Sequence, residues 1–315
     1  MAGGQERVLR RRIKSVQATK KITRAMELIA SSQIVRAQNR IRAGTPYQRG
    51  IARVLAEAAA DASDTAGRVL GVPESPRKVL VLALVADRGL CGGYNANVLR
   101  TVERLVRAGR AEGKEYTIVA VGKKAQSYLR FRGVDVTESF IGFSDRPTYE
   151  DARAVAGAVT PPFTAEEVDQ VFVVSTRFIS AGTQVVETRQ LLPLPEPTDG
   201  VPHPHFETES VTGEGGVEAG GRQGFTEFEP DSADLLVELV PRYVEASVFG
   251  ALLEAAASEH TARQRAMAAA TDNADELVKT LTRIMNRARQ DAITTEIMEI
   301  VGGAESLRQA AKVQD

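Results

Sequence analysis

The chain has 315 residues, is 43% hydrophobic and carries a formal net charge of −1. That length admits two domains, or one domain with an extended element, and the near-neutral charge excludes a general polyanion binder. Aromatic residues make up only 5% and tryptophan is absent, so the core must be built from Ala, Val, Leu and Ile. Such a core suits long helices and a parallel sheet better than an aromatic-rich binding pocket. Cys91 is the only cysteine, which excludes an internal disulfide and fits a reducing compartment. No apolar run is long enough to span a membrane, and the basic N-terminus lacks the apolar stretch of a secretory signal. The expectation is a cytoplasmic protein whose membrane association, if any, comes through a partner.

Residues 5–58 are rich in Arg, Lys, Ala, Ile and Gln, mostly good helix formers. Leu9, Ile13 and Val16 share one stripe, and Ile22, Met26 and Ile29 another, with a slip of register near Lys20. Pro46 has no amide hydrogen, so it is expected to kink this helix, or else to divide it in two. Residues 1–42 hold eleven Lys and Arg against Glu6 and Glu27 alone. Between Asp199 and Asp234 the balance reverses, with nine acids against Arg222. Such asymmetry means that different segments meet different partners.

After a linker at Gly71–Pro76, Lys78 to Ala86 is a continuous apolar run, the pattern of a strand covered on both faces. DRGLCGGYN (87–95) is then a turn, followed by a helix over 96–110. Further strands are expected at Tyr116–Val121, Val134–Phe140 and Val168–Thr176, with helices at Lys123–Phe131 and 148–158. Strand alternating with helix predicts a parallel α/β sheet. Residues 182–192 read as one more strand, paired antiparallel through the turn at Ala181-Gly182. Residues 193–230 combine Pro, Gly and acids with almost no apolar content. They cannot bury enough surface to offset chain entropy, so a mobile loop is expected there.

Asp231 or Ser232 caps the next helix, with Asp234 reaching back as in a capping box. Pro241 either kinks it or opens a second helix at its first turn. From Arg242 onward some 70 residues are helical, about 105 Å at the usual rise. Apolar residues at Leu277, Leu281, Ile284, Ala288, Ile293, Ile297, Ile300, Ala304 and Leu307 fall in steps suited to a coiled-coil seam. This stripe is too thin for a domain core, so the helix must lie against another long helix, for which the N-terminal segment is the candidate. The predicted divisions are 1–70 (N-terminal coiled-coil helix), 77–192 (α/β head), 193–230 (acidic loop) and 231–315 (C-terminal coiled-coil helix).

Residues that could carry chemistry are few. The glycine-rich turn 87–95 follows a strand, but its spacing is neither G-x-G-x-x-G nor G-x-x-x-x-G-K-[ST]. It reads better as a shaped surface for a protein partner, with Asp87 capping the turn. His203 and His205 lie in the acidic loop without cysteine support, and His260 stands alone in a helix, on the surface or at the seam. No Ser-His-Asp set, carboxylate pair or Cys-His cluster has the spacing of a catalytic or metal site. No catalytic residue, cofactor or metal ligand is therefore assigned. The basic N-terminal helix lacks the interleaved aromatics of a nucleic-acid binder and suits acidic protein partners better. In the C-terminal helix the stripe breaks at Arg289-Gln290-Asp291, either a stutter in the coil or a polar latch gripping a surrounding protein. A nucleotide-dependent α/β enzyme and a basic coiled-coil nucleic-acid binder stand as rival readings.

Ile13-Lys14-Ser15-Val16-Gln17 with KKITRAMELIASSQIVRAQ (20–38), DRGLCGGYN, RYVEASVFGALLEAAASEHTARQRAMAAATDNADEL (242–277) and NRARQDAITTEIMEIVGGAESL (286–307) resemble the gamma subunits of F-type ATP synthases, the central stalk. The match covers nearly the whole chain. Departures are modest: Gln33 where the family more often has Lys, Asp291 where a small residue is common, and a long 193–224 loop.

The resemblance implies an antiparallel coiled coil of the terminal helices joined to a Rossmann-like α/β head. It also implies a non-catalytic rotor shaft inside a ring of alpha and beta subunits, driven by the membrane c ring. By carry-over, Arg289, Gln290 and Thr294 would meet the catch loop of a beta subunit, and Met26 would lie near beta's acidic lever. The turn residues Asp87, Arg88, Gly89, Leu90, Cys91, Gly92 and Gly93, with Phe228 and Glu229, would meet epsilon and the c ring. The long acidic loop is expected near that foot, modulating rotation. No nucleic acid is expected as a partner. The location implied is peripheral, on the cytoplasmic face of the cell membrane.

Overall fold

The computed structural model describes residues 2–61, 75–194 and 232–312. Of the expected acidic loop 193–230, Pro193 and Leu194 are described and buried; the rest, with Phe228 and Glu229, and most of the expected linker lie outside the described residues. The elements are α1 (Ala2–Asp61), β1 (Lys78–Leu84), α2 (Tyr94–Ala111), β2 (Glu115–Val121), α3 (Lys123–Phe131), β3 (Glu138–Phe140), α4 (Tyr149–Thr164), β4 (Gln170–Phe178), β5 (Gln184–Leu192) and α5 (Ser232–Lys312). The chain divides into two compact units. One holds Met1–Ala30 with Arg263–Asp315, the other Ser31–Ala262.

In the larger unit five strands lie in the order β3-β2-β1-β4-β5. β1 pairs parallel with both β2 and β4, β2 pairs parallel with β3, and β4 pairs antiparallel with β5. Because successive side chains point to opposite faces, the apolar run of β1 feeds two cores. Val79, Val81 and Ala83 meet Val98, Val102 and Leu129 from α2 and α3. Leu80, Leu82 and Leu84 join a cluster with Val155 and Val159 of α4, Leu55 of α1 and Leu252 of α5. A run apolar at every position was the sequence signal for this double cover.

α4 opens with a capping box: the Thr148 hydroxyl accepts from the Asp151 amide, and the Asp151 carboxylate accepts from the Thr148 amide. The helix continues past the expected end at 158 and through Pro161 and Pro162. Its last turn is held by burial of Phe163. β3 is shorter than expected, three residues on the sheet edge. Neither Pro46 nor Pro241 breaks its helix; α1 and α5 each run through unbroken. In this unit α1 and α5 approach closely and antiparallel. Gln48 donates to the Ala246 carbonyl, and a Cβ on Gly250 would lie 2.5 Å from Gln48 Nε2.

The smaller unit is an antiparallel helix pair. Thr23 and Thr271 share a hydroxyl hydrogen bond of 2.8 Å, and Lys20 Nζ meets Asp275 Oδ1 at 2.6 Å. The α1 residues turned from solvent include Leu9, Ile13, Val16, Lys20, Thr23, Glu27 and Ala30, with Glu6 and Met26 half-buried beside this line. This is an unbroken alternation of fours and threes, so the expected slip at Lys20 does not occur. The seam simply admits polar residues there, and Ile22 and Ile29 face outward at 61% exposure each. On α5 the inward line is Met267, Thr271, Ala274, Val278, Leu281, Met285, Ala288 and Ala292. Leu281 and Ala288 were expected on it. Leu277 and Ile284 are exposed at its edge, because the small Ala274 lets the backbones approach and shifts the seam by one position.

Candidate partner-binding sites

The turn after β1 is held by its own side chains. Asp87 Oδ1 accepts from the Lys123 amide at 2.9 Å, and Oδ2 from the amides of Gly142 (2.8 Å) and Ser144 (3.1 Å). The Ser144 hydroxyl in turn accepts from the Asp87 amide. Asn95 ties the other end, accepting from the Ala86 amide and donating to Cys91 Sγ at 3.2 Å. Leu90 and Gly92 both adopt positive φ, which turns the chain sharply enough to bury Cys91 while leaving Leu90 61% exposed.

The expected turn-capping role of Asp87 is thus observed. It has a chemical consequence, since Lys123 is the first residue of α3, where helix amides attract anions. In a nucleotide-binding sheet this position at the carboxyl ends of the strands would receive phosphate; here an internal carboxylate fills it. Of the seven turn residues assigned from the sequence, Asp87 and Cys91 point inward and serve the fold. Arg88, Leu90, Gly92 and Gly93 are exposed, and Gly89 is half-exposed.

On α5, Arg289 and Gln290 are exposed and their side chains make no hydrogen bond among the described residues. Thr294 Oγ1 donates to the Gln290 carbonyl at 3.0 Å, so its hydroxyl is left to act as an acceptor. Gln290 lies about 200° round the helix from the seam residue Ala288, with Thr294 one turn further on. The three residues therefore present donors and an acceptor outward, away from α1.

Met26 is half-buried beside the seam. His260, expected on the surface or at the seam, is not on the surface but buried, with Nε2 3.0 Å from the Asp145 carbonyl. Among the described residues no group of three or more His, Cys, Asp and Glu could hold a metal ion, and none of the helices is long and apolar enough to cross a membrane.

Two features escaped the sequence. On α5, Ile293, Ile297 and Ile300, expected on the coiled-coil seam, are instead exposed, together with Met298 and Val301. The second feature is a cleft of scattered cations, Arg36, Arg40 and Arg146, beside His260. Residues so far apart in sequence give no local signal.

A mixed sheet whose α3 N-terminus is filled by the chain's own Asp87 carboxylate, together with an antiparallel pair of long helices bearing exposed apolar residues, is the architecture of a protein-binding shaft subunit. The ATP synthase family model matches residues 5–307. The chain is 46% identical to the ATP synthase gamma chain of Parafrankia sp., covering 98% of this chain and 99% of that one. It is 45% identical to the gamma chain of Frankia casuarinae, covering 96% and 98%. The chain belongs to the ATP synthase gamma chain family and is a central rotor-shaft subunit without chemistry of its own. Its fold is shared with the central stalk of the Tetrahymena thermophila mitochondrial ATP synthase, at TM-score 0.58 and 22% identity over 79% of this chain and 99% of that one. A chain of the Euglena gracilis mitochondrial ATP synthase gives 0.66 at 17% identity over 98% and 97%.

Proposed function

We propose that the chain couples rotation of a proton-driven membrane c ring to sequential conformational change in three catalytic beta subunits. The observation that carries this reading is the apolar tip of α5. Ile293, Ile297, Met298, Ile300 and Val301 stand exposed close together on one helix, a surface that water disfavours and a protein sleeve would cover. Covering two or three of them at one rotor angle and releasing them at another is worth about 3–9 kcal/mol. Moving a two-state site from one extreme to the other takes about 5.5 kcal/mol, so the tip alone is of the right magnitude. Arg289, Gln290 and Thr294 add directional hydrogen bonds to a beta subunit at the base of that tip. Met26 and the basic face of α1 lie against an acidic segment of beta. Arg88, Leu90 and the glycines of the turn meet epsilon and the c ring, and association with the cytoplasmic face of the membrane comes through that ring.

The test is ATP-driven proton pumping by the assembled synthase carrying Arg289→Ala with Gln290→Ala. Both residues are exposed, so assembly is retained and pumping falls relative to hydrolysis. Undiminished pumping and synthesis would remove these residues from the coupling site. Deleting residues 197–224 tests the acidic loop in the same assay; unchanged pumping and hydrolysis would exclude a modulating role.

A further inference from the structure

Within the larger unit, a cleft of about 670 Å³ opens between α1, the loop before α4, and α5. That volume falls within the range of small-molecule sites. Arg36 and Arg40 enter it from α1, Arg146 from the loop, and His260 from α5. The Arg40 guanidinium donates to the Pro147 carbonyl. Burial lowers its pKa, and the neighbouring charge of Arg146 lowers it further, so two like charges are held facing one space. His260 bonds the Asp145 carbonyl and pins the loop against α5, which prevents the loop from swinging Arg146 away. The floor is apolar, with Ala37 and Leu253 both buried, and charges over such a floor are screened less than in open water.

Among the described residues, no carboxylate pairs with Arg36, Arg40 or Arg146. Asp145 is the one acid on the cleft wall. Three guanidiniums against one carboxylate leave an excess of two positive charges, and guanidinium forks match the geometry of phosphoryl oxygens. A phosphate group carries about −1.5 to −2 charges near neutral pH, so the match extends to charge number.

We propose that this cleft is an oxyanion site that takes a phosphate group, held by Arg36, Arg40 and Arg146. The group is either free inorganic phosphate or the terminal phosphate of a nucleotide. None of the lining residues is Asp87, Met26, Arg289, Gln290, Thr294 or a residue of the 88–93 turn.

The test is calorimetric titration of the full chain, at fixed ionic strength, with inorganic phosphate, with ADP and with a hexaglutamate peptide. Saturable binding is expected, weakened about tenfold by Arg36→Gln and by Arg146→Gln. Both side chains are exposed, so circular dichroism should show an unchanged fold. Phosphate binding without ADP binding identifies the free anion; tighter ADP binding that phosphate displaces identifies a nucleotide phosphate. The proposal is overturned if neither phosphate nor ADP binds saturably. It is overturned equally if binding ignores both substitutions, or if only hexaglutamate binds.

Discussion

The hydroxyls of Thr23 and Thr271 meet at 2.8 Å in the seam between α1 and α5, both residues buried. Each oxygen also lies within bonding distance of a carbonyl in its own helix, Lys20 and Met267 respectively. The pair satisfies itself only when 23 stands opposite 271, so it specifies register as well as cohesion. Replacing Thr271 by Val should cost about 1 kcal/mol. Replacing both threonines should cost less than the two single changes together, because no hydroxyl is then stranded. A double-mutant cycle on chemical denaturation midpoints reads the coupling directly; strict additivity would deny it.

Asp87 serves three amides with one carboxylate. Asp87→Ala leaves all three without that acceptor and should destabilise the larger unit by about 3 kcal/mol. Asp87→Asn should be intermediate, since an amide keeps one acceptor oxygen but turns a donor toward the others. Thermal unfolding followed at 222 nm separates the two, and equal melting points for all three proteins would contradict the bonding described.

Gly122, directly before α3, adopts φ +97°, and a Cβ there would fall 2.0 Å from the Val85 carbonyl oxygen. The bond from the Gly122 amide to Phe140 O and that from the Val85 amide to Val121 O fix both strands at this point. Gly122→Ala should therefore cost on the order of 3 kcal/mol or more, seen as loss of soluble protein or a large drop in melting temperature. A near-native melting temperature would show that the strand ends can move apart.

Lys20 holds the Asp275 carboxyl below its ordinary value, mainly by hydrogen bonding. A depressed folded-state pKa contributes stability at pH above the unfolded value of 3.8, and that stability is lost as pH falls through the folded value. The difference in stability between the wild type and Asp275→Asn should thus be present at neutral pH and vanish in strong acid. High salt should shrink it at neutral pH, because the pair is partly exposed. Urea midpoints measured across that range check both statements.

Leu90 is the most exposed apolar residue of the 87–93 turn, while Cys91 beside it is buried. Leu90→Asp should leave the melting temperature of the isolated chain within about a degree, as expected for an exposed side chain. The same change should reduce retention of the chain on immobilised c ring with epsilon. Full retention would take the turn out of the foot.

Lys123–Phe131 was legible to the residue because Gly122 and Gly133 bracket it, both at positive φ. The doubly covered β1 and the antiparallel β5 were readable to within two residues, one from its unbroken apolar run and the other from the short turn before it. The seam was not. Apolar residues at Ile22, Ile29, Leu277 and Ile284 drew the expected line to the wrong side, whereas the helices meet on Thr23, Ala30, Thr271 and Ala274. Small and polar residues win there because they permit closer backbones and can pair across the gap. The larger apolar residues are left for surfaces outside the chain. Among the site residues, the capping role of Asp87 was legible, but its partners Gly142 and Ser144, 55 and 57 positions distant, lie beyond what local spacing can carry.

Within the smaller unit, Leu9, Val16, Thr23 and Ala30 of α1 recur every seven positions on the inward side. A straight helix drifts about 20° per such repeat, and keeping the repeat in contact forces a left-handed superhelical wind. Torsion of one sense tightens that wind and packs Thr23 harder on Thr271; torsion of the other sense loosens it. A pair of strands twisted in this way is stiffer in one direction than in the other, as a rope is.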